Sequence, residues 1–308
     1  MAHSARSVIG TRGSPLALAQ AHETQDRLAA ALGLDLVALP LSMIKTTGDA
    51  IQDRPLSEAG GKGLFTKELD AALLEGAIDL AVHSAKDLPT AMPDGLAIAG
   101  YLPREDARDA FISLNARSLS DLPRAAVVGS ASLRRQAMVK RLRPDLRVTL
   151  LRGNVGTRLK KLEAGDVDAI LLAMAGLNRL GLAHHATAAL ALDDFVPAVG
   201  QGAIAVTVRA DDEATLEAVA RICDAATGAA VAAERAFLAV LDGSCRTPIA
   251  GHARLSDGEL RFVGLVLRPD GSEAIEAART GAVNDATRIG RDAGIEIRGR
   301  MPPDFLTG

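Results

Sequence analysis

The stretch Asp79-Leu80-Ala81-Val82-His83-Ser84-Ala85-Lys86-Asp87-Leu88-Pro89 decides how the chain is read. Residues 78–82 are apolar, run into a turn and are closed by Pro89, the pattern of a short buried strand. The polar cluster His83, Ser84, Lys86 and Asp87 then lies just past a strand's carboxyl end, where open α/β sheets bind their ligands. Lys86 beside Asp87 favours the ionised carboxylate. A carboxylate held in a cleft can stabilise a cation or pass on a proton. Taken alone, the same residues also describe a strand-end loop with a solvated ion pair, an interaction worth little.

Upstream, residues 7–11 read as a strand, and Arg12-Gly13-Ser14-Pro15 opens a helix. Ser14 suits the N-cap and Pro15 the first helical position. Leu16, Leu28 and Leu32 give that helix an apolar stripe. Arg12 sits at the strand-to-helix turn beside free backbone N–H groups, which makes an anion site or, equally, a surface arginine. Residues 34–44 read as a second strand. Gly60-Gly61-Lys62-Gly63 lacks the spacing of a phosphate-binding P-loop and reads as a mobile loop carrying Lys62 as a lid. Phe65, Leu69 and Leu73 mark the core face of a helix. Strands and helices alternate, which predicts a largely parallel sheet.

Downstream, residues 96–101 form another strand, and Leu102-Pro103-Arg104-Glu105-Asp106 marks a domain boundary. A second α/β unit starts at Asp109. In Ser130-Ala131-Ser132-Leu133-Arg134-Arg135, serines open a helix and two arginines fill its first turn, against the helix dipole. An anionic ligand explains that placement better than stability does. Between Arg134 and Lys161 stand ten basic residues and one acid, Asp145. The arginines, among them Arg152, Arg158 and Arg179, fall at separate strand-to-helix turns and converge on a cleft. No aromatic residue in the run could stack on bases, so small carboxylates or phosphates fit better than nucleic acid. His184-His185 reads as a solvated pair whose rings face different ways, and no spacing suggests a metal.

Phe195-Val196-Pro197-Ala198-Val199-Gly200-Gln201-Gly202 reads as a crossing back to the first unit. The expected organisation is therefore a discontinuous α/β lobe (1–102 and 200–220), a second α/β lobe (106–196) and a small α+β domain with an antiparallel sheet (224–308). The two lobes face a central cleft, as in periplasmic binding proteins. Leu216, Val219 and Cys223 share a helix face, which makes Cys223 a buried small hydrophobe. Cys245, in Asp242-Gly243-Ser244-Cys245-Arg246-Thr247-Pro248, lies on a tight turn beside an arginine that lowers its thiol pKa. It is either a nucleophile and attachment point or an incidental loop cysteine.

The 308-residue chain is 48% hydrophobic and 24% charged, with a net charge of −3, 2% aromatic residues and two cysteines. That balance gives no global pull toward nucleic acid or anionic membrane. Two cysteines make no disulfide framework and fit a reducing cytoplasm. No signal-peptide pattern and no membrane-length apolar run are expected.

Seven motifs in order resemble the porphobilinogen deaminase (hydroxymethylbilane synthase) family. They are Arg12-Gly13-Ser14-Pro15-Leu16-Ala17-Leu18, Gly60-Gly61-Lys62-Gly63-Leu64-Phe65, Val82-His83-Ser84-Ala85-Lys86-Asp87-Leu88-Pro89 and Ser132-Leu133-Arg134-Arg135-Gln136. Leu151-Arg152-Gly153-Asn154-Val155-Gly156-Thr157-Arg158, Pro197-Ala198-Val199-Gly200-Gln201-Gly202, and Glu234-Arg235 through Gly243-Ser244-Cys245 to Pro248 complete the set. The resemblance covers essentially the whole chain. It implies a transferase, a cytoplasmic monomer, that joins four porphobilinogen molecules head to tail with loss of ammonia and releases hydroxymethylbilane. It implies a dipyrromethane cofactor held by a thioether to Cys245, with Asp87 as the catalytic aspartate. It further implies cofactor contacts from Lys86, Ser130, Ser132, Arg134 and Arg135. Substrate contacts fall to Arg12, Ser14, Lys62, Arg152, Arg158, Arg179 and Gln201. Ala131 stands where many members carry a hydroxyl, Ser244 where many carry glycine, and Glu58 where some carry a second loop lysine. Two other readings are a non-catalytic two-lobed carboxylate binder and a nucleic-acid binder, the latter predicting steep salt dependence.

Overall fold

A computed structural model describes residues 7–50, 63–243 and 247–306. The first lobe begins with β1 (Ile9–Arg12), α1 (Pro15–Leu32), β2 (Leu41–Ile44) and the short α2 (Thr47–Ala50). It continues with α3 (Lys67–Leu74), β3 (Leu80–Ser84) and β4 (Leu96–Tyr101). Ser14 caps α1, its Oγ accepting from the Ala17 N–H at 3.3 Å, with Pro15 just inside. Gly33 ends the helix at φ 67°, a left-handed cap that a glycine adopts without strain.

Of the expected leucine stripe of α1, Leu28 is buried and Leu32 packs against the core, while Leu16 turns toward the cleft; the rest of the buried face is Ala17, Gln20, Ala21, Thr24, Gln25 and Ala29. Small side chains bring this helix close to the sheet, and the polar ones are satisfied: Gln25 Nε2 donates to the Leu39 carbonyl at 2.7 Å. The expected strand over 34–44 is a 3-10 turn, Leu36–Ala38, followed by β2 alone. Pro40 has no N–H for a ladder, so the register of β2 begins at Leu41, although the Pro40 carbonyl still accepts from the Ile9 N–H at 2.9 Å.

The second lobe contains β5 (Asp109–Ser113), β6 (Val127–Gly129), α4 (Leu133–Leu142), β7 (Arg147–Thr149), α5 (Val155–Glu163), β8 (Ala169–Ala173), α6 (Met174–Arg179) and β9 (Ala188–Ala189). The chain then returns through β10 (Ile204–Arg209), α7 (Glu213–Ala220) and α8 (Ala225–Val240). It ends in β11 (Ile249–Ser256), β12 (Glu259–Leu267), β13 (Ala274–Ala282) and α9 (Ala286–Arg300).

Among the described residues there are two five-stranded sheets, ordered β2-β1-β3-β10-β4 and β7-β6-β8-β5-β9, and an antiparallel β11-β12-β13 sheet. In each large sheet four of the five strands run in one direction, as the alternation predicts, and one strand is reversed. β10 runs antiparallel to both β3 and β4, and β5 antiparallel to both β8 and β9. These two strands enter from the opposite lobe. They are not fed by a helical crossover within their own sheet, so the parallel geometry such a crossover imposes does not bind them.

The two crossing segments touch where the Glu105 N–H donates to the Gly202 carbonyl at 3.2 Å. Gly202 has φ 90°, and a Cβ there would sit 2.4 Å from the Glu105 oxygen, so only glycine fits. The third unit packs α8 and α9 on its sheet around Phe237 and Phe262, whose ring centroids lie 5.0 Å apart. Burying each such ring is worth about 2–3 kcal/mol.

Candidate active site

The lobes and the third unit enclose a cleft of about 1030 Å³, at the large end for a small-molecule site. From the first lobe it is lined by the β1–α1 turn (Arg12, Ser14), by Gln20, by Phe65 and by the turn after β3 that holds Lys86 and Asp87. The second lobe contributes the N-termini of α4 and α5, with Ser132, Arg134, Arg135, Arg152 and Arg158. Leu238, Thr247 and Ile249 close it from the third unit.

Asp87 sits in a 3-10 turn directly after β3. Its near cation is not Lys86 but Arg12, Nη1 to Oδ2 at 3.7 Å. The Arg12 guanidinium also lies 4.1 Å above the Phe65 ring, a cation–π contact that holds it over the cleft. Phe65 therefore belongs to the site, not to the core face of α3 as its sequence spacing suggests. Leu69 and Leu73 are core, as expected. His83 is buried, with Nε2 2.9 Å from Thr207 Oγ1. Burial and the neighbouring Arg12 push its pKa down to about 4, so it is neutral. Burial and Arg135 push Lys86 down to about 8. Burial, Arg135 and Arg152 push Arg158 down to about 10.

A residue that sequence reasoning missed organises the second-lobe wall. Asp109, fully buried at the start of β5, pairs with both arginines of α4. Its Oδ1 lies 2.6 Å from Arg135 Nη2, and its Oδ2 2.8 Å from Arg134 Nη1. Burial opposes its charge, but the two guanidinium groups outweigh that and hold its carboxyl well below the usual range. The anion inferred from the misplaced arginines is therefore supplied in part by the protein. The sequence signal was the imbalance itself: ten bases against one acid call for a buried acid from elsewhere.

Arg135 spends its remaining Nη1 on the Leu171 carbonyl at 3.0 Å, and Arg134 gives Nη1 to the Val196 carbonyl at 2.8 Å. Gln201, also buried, donates Nε2 to the Ala107 carbonyl and to Asp109 Oδ1. Arg134 Nε and Gln201 Oε1 are buried without a hydrogen-bond partner. One is a donor and one an acceptor, as a ligand bearing both carboxylates and ring N–H groups would need.

Two expected contacts do not reach the cleft. Ser130 is buried and its Oγ accepts from the Ser132 N–H at 3.2 Å, so it shapes the α4 entry instead. Arg179 points away, pairing with Glu23 at 3.1 Å and donating to the Gly202 carbonyl. Ser132 caps α4, accepting from the Arg135 N–H, and Asn154 caps α5. Lys62 and Cys245 lie outside the described residues, as do Glu58 and Ser244. Just before Cys245 in sequence, the Gly243 carbonyl accepts from Thr90 Oγ1 at 2.9 Å, three residues after Asp87. Cys223 is half-buried and burial raises its thiol pKa, which agrees with a packing role. The rings of His184 and His185 do not diverge: their centroids lie 4.3 Å apart with the planes tilted by 37°. Among the described residues no cluster of three metal-ligating side chains occurs.

Residues 7–217 match the family model "Porphobilinogen deaminase, dipyromethane cofactor binding domain", and residues 229–299 match "Porphobilinogen deaminase, C-terminal domain". The chain belongs to the porphobilinogen deaminase family. The porphobilinogen deaminase of Nitrobacter hamburgensis is 58% identical over 301 residues, covering 98% of this chain and 95% of that one. That of Paracoccus denitrificans is 58% identical over 298 residues, covering 97% and 95%. Among solved structures, a periplasmic substrate-binding protein of an ABC transporter from Coxiella burnetii is 14% identical, with a TM-score of 0.45 over 70% of this chain and 91% of its own. The family model that covers the first two sheets is thus one for binding the dipyrromethane cofactor. No helix of the described residues is long and apolar enough to cross a membrane.

Proposed function

We propose that this protein is a porphobilinogen deaminase, a transferase that condenses four porphobilinogen molecules head to tail and releases hydroxymethylbilane. The observation that carries the reading is one carboxylate, Asp87, facing a wall of second-lobe arginines across a single cleft. Each pyrrole brings an acetate and a propionate, so a growing chain accumulates carboxylates that arginine forks can pair with. Arg12, Ser14, Arg152 and Arg158 hold those of incoming substrate. Lys86, Ser132, Arg134 and Arg135 hold the cofactor, with Cys245 as the attachment point, and Lys62 and Gln201 join the substrate contacts. The cofactor, when bound, supplies the electron-rich terminal pyrrole carbon onto which the first substrate is joined.

The chain's own chemistry centres on Asp87. Porphobilinogen loses ammonia as its aminomethyl C–N bond breaks, and leaves a cationic methylene pyrrolenine. The Asp87 carboxylate stabilises that cation through the pyrrole N–H, with the Arg12 guanidinium 3.7 Å away. The carbon–carbon bond that follows expels one proton, which Asp87 is placed to accept. The reading carries with it a cytoplasmic monomer of three domains, 1–102 with 200–220, 106–196 and 224–308. Asp87→Asn tests it. The variant keeps the fold and still carries the cofactor, while its rate of ammonia release falls by a factor of about 100 or more. A variant that releases ammonia at the wild-type rate removes Asp87 from the mechanism.

A further inference from the structure

Arg179 and Glu23 form a charged contact between the two lobes. Arg179 ends α6 in the second lobe, and its Nε lies 3.1 Å from Oε2 of Glu23 on α1 of the first. Both its Nη groups donate to the Gly202 carbonyl at 3.2 Å, where the returning crossover passes the outgoing one. The preceding residue, Asn178, donates Nδ2 to Glu105 Oε1 at 3.0 Å on the outgoing crossover. The end of α6 therefore grips α1 and both crossing segments. The Arg179 side chain is only 8% exposed, so its pair is sheltered in a way a surface ion pair is not.

The same two helices carry cleft residues at their other ends. Ser14, Leu16 and Gln20 of α1 line the cleft, and so does Gly176 of α6. A Cβ at Gly176 would meet Leu16 Cδ2 at 3.5 Å, ordinary contact distance across the lobe boundary. Any sliding of α1 on α6 thus changes where Asp87 stands relative to Arg135, Arg152 and Arg158. A reacting chain held by both lobes is sensitive to such a shift, since a misplacement of about 1 Å can cost about a hundredfold in rate.

We propose that Glu23 is a positioning residue of the condensation: its pair with Arg179 sets the register of the two lobes, and hence the placement of Asp87 against the carboxylate-binding arginines. This rests on the porphobilinogen deaminase reading above. Glu23→Gln is the informative variant, because it keeps the length of the side chain and removes only its charge. Glu23 also pairs with Arg27 at 3.2 Å on the same helix, so Arg27→Gln is the control.

The measurements are the intact mass of each protein as purified and during turnover, steady-state kinetics with porphobilinogen, and small-angle scattering. Glu23→Gln loads its cofactor as wild type does, its kcat falls about three- to tenfold, its KM changes less than about twofold, and partly extended covalent chains accumulate. Arg27→Gln behaves as wild type. Glu23→Gln with wild-type kcat and an unchanged ladder of masses overturns the proposal. So does a raised KM at constant kcat, which would mean that Glu23 acts on substrate binding. If the wild-type protein neither carries nor acquires the cofactor, the enzyme reading fails on its own. The lobe register is then judged by scattering: a larger radius of gyration in Glu23→Gln supports the role of the pair, and an unchanged profile overturns it.

Discussion

Lys86 holds its proton less tightly than an ordinary lysine, since burial and Arg135 bring its pKa to about 8. A carboxylate ligand binds the charged form, so loading of cofactor-free protein weakens as pH rises through that value. At pH 9 only about a tenth of the lysine stays charged, and the apparent affinity drops up to about tenfold. Stability of the cofactor-free fold moves the other way. Between about 8 and 10.5 the unfolded chain holds a proton that the folded chain has lost, so stability rises with pH across that window. Porphobilinogen loading followed from pH 7 to 9.5 checks this, with Lys86→Gln expected to show no such decline. An equal decline in Lys86→Gln would assign it to another group. At this scale the sequence displayed Asp87, Arg12, Arg152 and Arg158 at strand-to-helix turns, because such turns are local. It concealed Asp109, whose partners Arg134 and Arg135 lie about 25 positions further on, in a different element. It did not disclose the Arg179–Glu23 pair, because an arginine near a helix end looks the same whether it faces a ligand or a glutamate on another lobe.

Among the elements, α8 and α9 pack closely at two glycines of α9. A Cβ at Gly290 would lie 1.8 Å from the Ala233 carbonyl oxygen, and one at Gly294 2.8 Å from Val240 Cβ. Both clashes involve rigid neighbours, so the helices must move apart to admit a methyl group. Gly290→Ala is expected to destabilise the protein by about 2–3 kcal/mol, read as a lower midpoint in urea unfolding. A midpoint within error of wild type would show that the helices separate freely. A close approach of this kind appears in sequence only as glycines that no turn requires. Strand direction was hidden for a related reason. β5 and β10 look like their parallel neighbours, and only the path of the chain between lobes reverses them.

On the scale of the whole molecule, Glu234 joins what the lobes leave separate. Fully buried in α8, it pairs with Arg104 at 2.6 Å and His252 at 3.3 Å, and accepts from the N–H groups of Gly200 and Ala253. One carboxylate thereby ties both crossings between the lobes to the sheet of the third unit. Burial works against its charge, yet Arg104 and His252 hold its carboxyl well below the usual range. The three-unit architecture was legible from the alternation of strands and helices and from the Gly- and Pro-marked crossing at 197–202. The charged ties between the units were not, because each pairs residues far apart in sequence.

The cationic cleft is proposed to hold a dipyrromethane attached through Cys245, and the first measurement is the intact mass of the purified protein alongside Cys245→Ser. The native chain is expected to exceed its sequence mass by two linked pyrrole units, and the variant is not. A native chain at bare sequence mass, unchanged after incubation with porphobilinogen, would contradict it.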